Sequence, residues 1–172
     1  MKRFIFSFVL IGLLSLGVSI NAFAQTQTFS DVNVEYTFDL PDTGWKLTTK
    51  PTAGNPKVEY TYVDRLDGFL EFRKVSAKDT DMPSDIIQRD KEGTLQFLPG
   101  YVAGTEDVFA GNLKGKVFNY EFIKFGKTMS GRFYYLKADA NTFYVLRFTG
   151  QKDKLRTIRN QVDMIARTFK VK

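Results

Sequence analysis

The chain has 172 residues, with 25 lysine and arginine residues against 19 aspartate and glutamate residues, and a formal net charge of +6. It contains neither histidine nor cysteine, which excludes Ser–His–Asp and Cys–His catalysis and argues against zinc, copper and iron–sulfur sites. The absence of cysteine also excludes disulfide bonds and a lipid anchor on an N-terminal cysteine.

Residues 1–24 have the pattern of an export signal. Lys2 and Arg3 form a positively charged start, and residues 4–18 form an apolar run broken only by serine and glycine. That run is shorter than the roughly 20 residues that a membrane-spanning helix needs. The sequence therefore predicts a cleaved leader, and no transmembrane segment in the chain that remains.

Ala22 and Ala24 supply the small residues that signal peptidase recognises, so cleavage is expected before Gln25. The remaining 148 residues, numbered 25–172, would carry a net charge of +4 and are enough for one domain with its own core. Because no cysteine is present for lipid attachment, the sequence predicts a periplasmic or secreted protein. A charge of this size allows a contact with an anionic surface without requiring one.

The first half of this domain has the alternation typical of β-strands. A half-buried strand is predicted over residues 32–40, after a short lead of Gln and Thr at residues 25–28. Turn and loop residues separate it from further strands over residues 45–48, 58–63 and 69–75. The apolar face of the first strand consists of Val32, Val34, Tyr36, Phe38 and Leu40.

The second half begins with a predicted helix and continues as a meander. The helix is expected over residues 84–97 and is ended by Pro99 and Gly100. Short connections at residues 125–127 and 139–141 predict antiparallel neighbours. The strands are expected near residues 101–109, 116–124, 129–138 and 142–149.

The last element is predicted as an amphipathic helix, because apolar residues recur at steps of three and four with basic residues off that stripe. A strand-rich body with such a terminal helix predicts an α+β domain whose helix packs on one face of the sheet. The apolar stripe consists of Leu155, Ile158, Val162, Ile165 and Phe169.

An acidic segment before the first helix has two interpretations. Asp79, Asp81 and Asp85 alternate as carboxylates do at the start of a calcium loop, but the central glycine and terminal glutamate of an EF-hand are missing. Helix capping is the alternative, with Asp81 or Ser84 as the N-cap residue. Capping is preferred, so no metal site and no cofactor are predicted.

Two other patterns in the sequence have simpler explanations than the sites they resemble. Gly126 and Gly131 have the spacing of a phosphate-binding loop, but the required Lys-Ser/Thr pair is absent and a hairpin is expected there. Basic residues interleaved with aromatic residues between positions 116 and 147 could bind single-stranded nucleic acid, or could form a sheet with one packed and one solvated face. Modest charge and predicted export favour the sheet, so no nucleic-acid partner is predicted.

Four blocks of the sequence occur in a recognisable order: residues 36–41 followed by Trp45, then 58–62, 144–150 and 163–169. Together they resemble the PsbP-like superfamily (PsbP/DcrB-like exported bacterial domains), named after an extrinsic subunit of photosystem II. The resemblance implies one α/β/α-type domain over residues 25–172, a mainly antiparallel twisted sheet flanked by helices. It also implies an accessory or interaction module, although the metal-linked histidines of photosynthetic members have no counterpart here.

Three functions stay open at this point. The leading hypothesis is an exported, non-enzymatic accessory or binding domain of the cell envelope, with an unidentified envelope protein or ligand as its partner. The second is a carboxylate-based hydrolase of cell-wall or extracellular glycans, and the third is a carrier of a small apolar ligand, suggested by the aromatic content. The acids available to a hydrolase include Asp31, Glu35, Asp64, Asp67, Glu71 and Glu121.

Overall fold

A computed structural model describes residues 26–41 and 44–172. The predicted leader and its cleavage residues Ala22, Ala24 and Gln25 lie outside the described residues, as do residues 42–43 of the predicted turn. A small antiparallel sheet joins the two ends of the described chain, because its central strand pairs with one strand from each end. Its strands, in spatial order, are β1 (Thr26–Ser30), β2 (Tyr36–Pro41) and β10 (Lys170–Val171).

A seven-stranded antiparallel sheet forms the body of the protein. Its strands are β3 (Trp45–Thr49), β4 (Glu59–Tyr62), β5 (Asp64–Ser76), β6 (Val102–Ala110), β7 (Lys114–Lys124), β8 (Lys127–Lys137) and β9 (Thr142–Gln151). The spatial order is β3-β4-β5-β9-β8-β7-β6, so β3 and β6 are the edge strands and β8 lies inside the sheet. Residues 132–136 of β8 are all buried, as expected of a strand that is covered on both faces.

Helices cover both faces of this sheet. One face is packed against α1 (Pro83–Gly93) and the short 3-10 turn Leu95–Phe97, and we call it the α1 face. The other, the α3 face, is packed against the small sheet, α2 (Lys152–Thr157) and α3 (Arg159–Thr168). None of the helices within the described residues has the length and apolar character needed to cross a membrane.

Each face has its own aromatic core. On the α3 face, the rings of Tyr36 and Phe38 in β2 stack on Phe72, with Phe38 and Phe72 centred 4.6 Å apart. Phe72 in turn stacks on Phe169. On the α1 face, the ring of Tyr120 meets that of Phe133 edge-on at 5.1 Å, and Ile86 and Ile87 of α1 belong to the same core. These rings supply the apolar burial that holds a cysteine-free domain together.

The predicted α+β class and the antiparallel meander are confirmed. The turn between β7 and β8 falls where a hairpin was expected, so the spacing of Gly126 and Gly131 belongs to a turn and a strand. The apolar stripe of the terminal helix is buried as predicted, although the helix is divided at Ile158 into α2 and α3.

The prediction for the start of the domain was wrong in two respects. The lead before residue 32 contains a strand, β1, which pairs with β2 although only Phe29 of its five residues is buried. The strand predicted over residues 32–40 begins only at Tyr36, and Val32 is 97% exposed in the preceding turn. Pairing with a neighbouring strand thus decides the structure here in place of alternation.

The limits and the cap of the first helix also differ from the prediction. The α-helix ends at Gly93, because the backbone of Thr94 leaves the helical conformation with φ of −144°. A separate 3-10 turn follows, in which only Leu95 is buried. The N-cap residue is Met82, whose backbone N–H donates to the Asp85 carboxylate at 2.7 Å. Asp81 lies outside the helix and Ser84 inside it, where its hydroxyl donates to Glu106.

Candidate functional site

Arg132 of β8 lies at the centre of a polar network on the α3 face. Its side chain is only 8% exposed. Its Nε donates to the Tyr134 hydroxyl at 2.7 Å, and its Nη1 donates to Asn119 Oδ1 at 2.7 Å. Nε and Nη2 both donate to Asp163 Oδ1, at 3.0 and 2.8 Å, and the Tyr134 hydroxyl donates to the same oxygen. One N–H on each terminal nitrogen of the guanidinium is left for another acceptor.

The electrostatics of this network keep both sheet side chains in their donor forms. Burial by itself lowers the pKa of Arg132, but the neighbouring Tyr134 and Asp163 outweigh it and raise that pKa above its ordinary value. Burial raises the pKa of Tyr134, and its hydrogen bond to Asp163 adds to the rise. The network therefore presents a fixed guanidinium and a protonated phenol near neutral pH.

A cleft of about 330 Å³ opens beside this network. Its floor is the α3 face of β7 and β8, one wall is formed by α2 and the start of α3, and the other by β6. We call it the basic cleft, because four cationic side chains and one acidic side chain line it. The charged lining residues are Arg132, Lys152, Arg156, Arg159 and Glu121.

The two arginines at the rim carry charge that close carboxylates do not neutralise. Lys152 is paired with Glu121 at 2.7 Å. Arg156 is 4.0 Å from Asp153, and both side chains are so exposed that this contact contributes little. Arg159 is exposed and has neither an ion pair nor a side-chain hydrogen bond within the described residues. An anionic group entering the cleft therefore meets guanidinium donors that are still available.

The edge strand β6 forms the outer wall of the basic cleft. Eight of its nine residues are exposed, and it pairs with β7 alone among the described strands. Its register shifts between Ala103 and Glu106, a β-bulge that places Gly104 and Thr105 at the cleft. A long edge of this kind offers backbone N–H and C=O groups to an extended partner.

The acids considered for a hydrolase are dispersed. Each of four surface clefts in the described part of the chain holds one acidic side chain, and each of these acids is in an ion pair. The pairs are Glu121–Lys152, Glu71–Arg147, Asp81–Arg89 and Glu35–Lys74. The remaining candidates are bound by neighbours, with Asp31 and Asp64 accepting backbone N–H groups and Asp67 accepting from Gln151.

The perturbed carboxyl groups have pKa shifts opposite to those of a general acid. Among the described residues, every carboxyl group whose pKa departs clearly from its ordinary value has a lowered pKa. The largest change is at Glu35, whose pKa falls to about 2 because Lys74 and then Tyr144 donate hydrogen bonds to it. A glycosidase acid needs a raised pKa.

The acidic segment of the calcium alternative is used for folding contacts. Asp81 is buried and accepts from the Lys78 backbone N–H at 2.9 Å and from Arg89 at 2.6 Å. Asp85 accepts the N-cap N–H, and Asp79 is exposed. Within residues 26–41 and 44–172, no group of three or more acidic side chains is placed to hold a metal ion.

The α1 face has a second network that parallels the first. Asp90 of α1 is buried, with Arg73 Nη2 at 2.6 Å and the Tyr135 hydroxyl at 3.0 Å. Beyond the end of α1, a groove of about 220 Å³ lies over Phe133, with Arg147 and Glu71 paired at its base. That volume is below the usual range for small-molecule sites, so the groove does not favour the carrier hypothesis.

The sequence did not identify Arg132 as a site residue. It belonged to the basic residues that were interpreted as lying on a solvated face, whereas both faces of the sheet are packed and Arg132 is buried. The available signal was the apolar run Phe133 to Leu136, since a run without alternation indicates a strand covered on both faces.

No protein-family model matches this sequence, and no curated protein matches it at a significant level. Solved structures do resemble it. The solution structure of cyanobacterial PsbP (CyanoP) from Synechocystis sp. PCC 6803 has a TM-score of 0.61 and 16% identity, covering 91% of this chain and 96% of that chain. LpqN of Mycobacterium tuberculosis, described as involved in cell envelope biogenesis, has a TM-score of 0.55 and 16% identity, covering 85% and 91%.

A third structure, the Ran-binding protein Mog1p of Saccharomyces cerevisiae, has a TM-score of 0.60 and 10% identity, covering 86% of this chain and 96% of that chain. At these identities the likeness concerns the fold alone. The fold agrees with the sequence blocks that resembled the PsbP-like superfamily. The chain therefore has the fold of the PsbP-like superfamily.

Proposed function

We propose that this protein is an exported, non-enzymatic accessory or binding domain of the cell envelope, and that its ligand or partner presents an anionic group to the basic cleft. The observation that carries the proposal is the buried Arg132 network beneath two rim arginines, which no carboxylate among the described residues approaches closer than 4.0 Å. Guanidinium groups held in this way suit oxyanions such as carboxylates and phosphates.

The neighbouring edge strand makes a larger partner possible. An extended segment could add to β6 while its anionic side chain or terminus reaches the basic cleft, because Gly104 and Thr105 belong to both surfaces. Backbone pairing would supply affinity and the cleft would supply specificity. This arrangement needs no catalytic group, which agrees with the dispersed and ion-paired acids.

The first test asks whether the basic cleft binds a component of the cell envelope. Protein recovered after expression of the full chain is immobilised and exposed to an envelope extract of its own host, beside the double variant R156Q/R159Q. The matched control is K46Q/K170Q, which removes the same charge at two exposed positions outside the cleft. A component that the control retains and R156Q/R159Q loses supports the proposal, and one retained equally by both variants contradicts it.

Export and bound ligand are tested by mass spectrometry. Cleavage before Gln25 gives a chain that begins at that residue, and recovery of this form outside the cytoplasm supports export. A native mass above that of the polypeptide identifies a ligand carried from the host. An uncleaved chain that stays in the cytoplasm would refute the envelope role.

A further inference from the structure

Five of the ten large hydrophobic side chains that are exposed in the described residues lie at one end of the seven-stranded sheet. This end carries the β4–β5 and β7–β8 turns and the start of β6. We call it the turn end. The five residues are Val63, Phe97, Val102, Ile123 and Phe125.

The two turn residues have backbone conformations that their side chains do not favour. Val63 has φ of +59° and Phe125 has φ of +51°, and they are the only non-glycine residues with positive φ in the described part of the chain. Phe125 precedes Gly126, whose φ is +71°. A two-residue hairpin turn with both φ values positive favours Asn-Gly, so phenylalanine is a poor choice for the fold.

The exposed ring of Phe125 has no packing role that would explain this choice. It is 79% exposed, and among the described residues it lies near the Lys124 ammonium, which is 5.6 Å from the ring centre. Residues that conflict with the backbone preference of their turn occur mainly where function requires their side chain. A hydrophobic tip held out by a hairpin is suited to contact with an apolar phase.

The charges around the tip complement an anionic surface. Lys124 and Lys127 flank Phe125, and neither has an ion pair among the described residues. Lys152 and Lys154, at the start of α2, stand at the same end of the sheet, where they are paired with Glu121 and Asp67. Among the described residues, the unpaired positive charge beside Phe125 is therefore that of Lys124 and Lys127. Basic residues beside exposed aromatic and aliphatic side chains are the combination that binds anionic lipid headgroups and the interface beneath them.

We propose that the turn end docks on an anionic lipid surface, with Phe125 and Ile123 entering the interface and Lys124 and Lys127 contacting lipid phosphates. This proposal goes beyond the binding of a partner in the basic cleft and does not rest on it. The predicted leader would bring the protein to a compartment bounded by membrane, which makes such a surface accessible to it.

The test is co-sedimentation with vesicles at about 0.15 M salt, using protein recovered after expression of the full chain, with its N-terminus fixed by mass spectrometry. Vesicles of phosphatidylglycerol and phosphatidylcholine are compared with vesicles of phosphatidylcholine alone. The decisive variant is F125N, because asparagine suits the turn. F125N is expected to bind anionic vesicles about tenfold less tightly or worse, while its Tm is unchanged or rises by about 1–3 °C.

Two controls distinguish the role of Phe125 and its flanking lysines from the general effect of losing an exposed apolar side chain or positive charge. V32S removes a hydrophobic side chain that is even more exposed, in the turn before β2 and far from the turn end, and should bind as the unaltered protein does. K124Q/K127Q should weaken binding several-fold more than K114Q/K170Q, which removes the same charge at two exposed positions away from the turn end.

Several results would overturn the proposal. They are an absence of binding to anionic vesicles, an F125N variant that binds normally, or a loss of binding in F125N that accompanies a lower Tm. An equal loss of binding in K124Q/K127Q and in its charge-matched control would also overturn it. Capture of a partner by the basic cleft is measured separately with R156Q/R159Q, so either proposal can fail while the other holds.

Discussion

Replacing Asp163 with asparagine should destabilise the protein through Arg132. The substitution keeps the shape of the side chain and removes the negative charge that faces a guanidinium only 8% exposed. Removing one partner of a fully buried pair costs about 3–5 kcal/mol. Because Asp163 is 22% exposed and the guanidinium adjoins an open cleft, we expect a cost of about 2–3 kcal/mol.

The opposite substitution should cost less. R132M removes the buried charge and leaves a carboxylate that can still accept from Tyr134 and from water, so about 1–2 kcal/mol is expected. The double variant R132M/D163N should cost less than the sum of the single variants, by about 1–2 kcal/mol, because the pair interacts directly.

The assay is urea unfolding followed by far-UV circular dichroism. With a slope of about 2 kcal/mol/M, D163N should lower the midpoint by about 1–1.5 M. R156M, at the exposed rim of the same cleft, is the control and should stay within about 0.5 kcal/mol. A D163N midpoint within about 0.2 M of the unaltered protein, or strictly additive costs, would refute the assignment of Arg132 as a charge held by Asp163.

Three further predictions follow from other parts of the fold. G115A should prevent stable folding or cost more than about 3 kcal/mol, because the new Cβ would lie 1.9 Å from a backbone carbonyl oxygen. G93A, which has open space around it in α1, should raise the free energy of unfolding by about 0.5–1 kcal/mol, and urea unfolding compares the two variants. E35Q should lower the free energy of unfolding by less than about 1 kcal/mol at pH 7. This difference should shrink as pH falls from 4.5 towards 2, because Glu35, with its lowered pKa, stabilises the fold only while it is ionised. Thermal unfolding across this pH range measures the difference, and a constant difference would contradict the prediction. Y135F should cost about 1–2 kcal/mol, because Oδ2 of the buried Asp90 loses its donor while Arg73 still binds Oδ1. An unchanged urea midpoint would exclude that role.

Part of the fold was predictable because some strands alternate apolar and polar residues and because turn residues separate the strands. Tyr36, Phe38 and Leu40 alternate and are buried, and the strands from β6 to β9 lie close to their predicted positions. β1 could not be predicted in this way, since its residues are mostly polar and exposed. Its existence depends on β2 offering a free edge, which is a property of the assembled sheet.

The candidate site was less accessible to sequence analysis. Arg132 and Asp163 are 31 positions apart and meet only because α3 packs across β8. A basic residue within a strand looks the same in the sequence whether it is solvated or buried beneath a helix. The hairpin at residues 125–127 was predicted from the sequence, but the exposure and the positive φ of Phe125 are visible only in the structure.

The adjacent tyrosines of β8 have a consequence for how the protein unfolds. Tyr134 bonds to α3 through Asp163 and Tyr135 bonds to α1 through Asp90, so a single peptide unit connects the two layers of helix. Neither layer can detach without disturbing the strand that anchors the other. The backbone amides of residues 133–136 should therefore be among the last to exchange with deuterated solvent, and should do so together, as one cooperative unit.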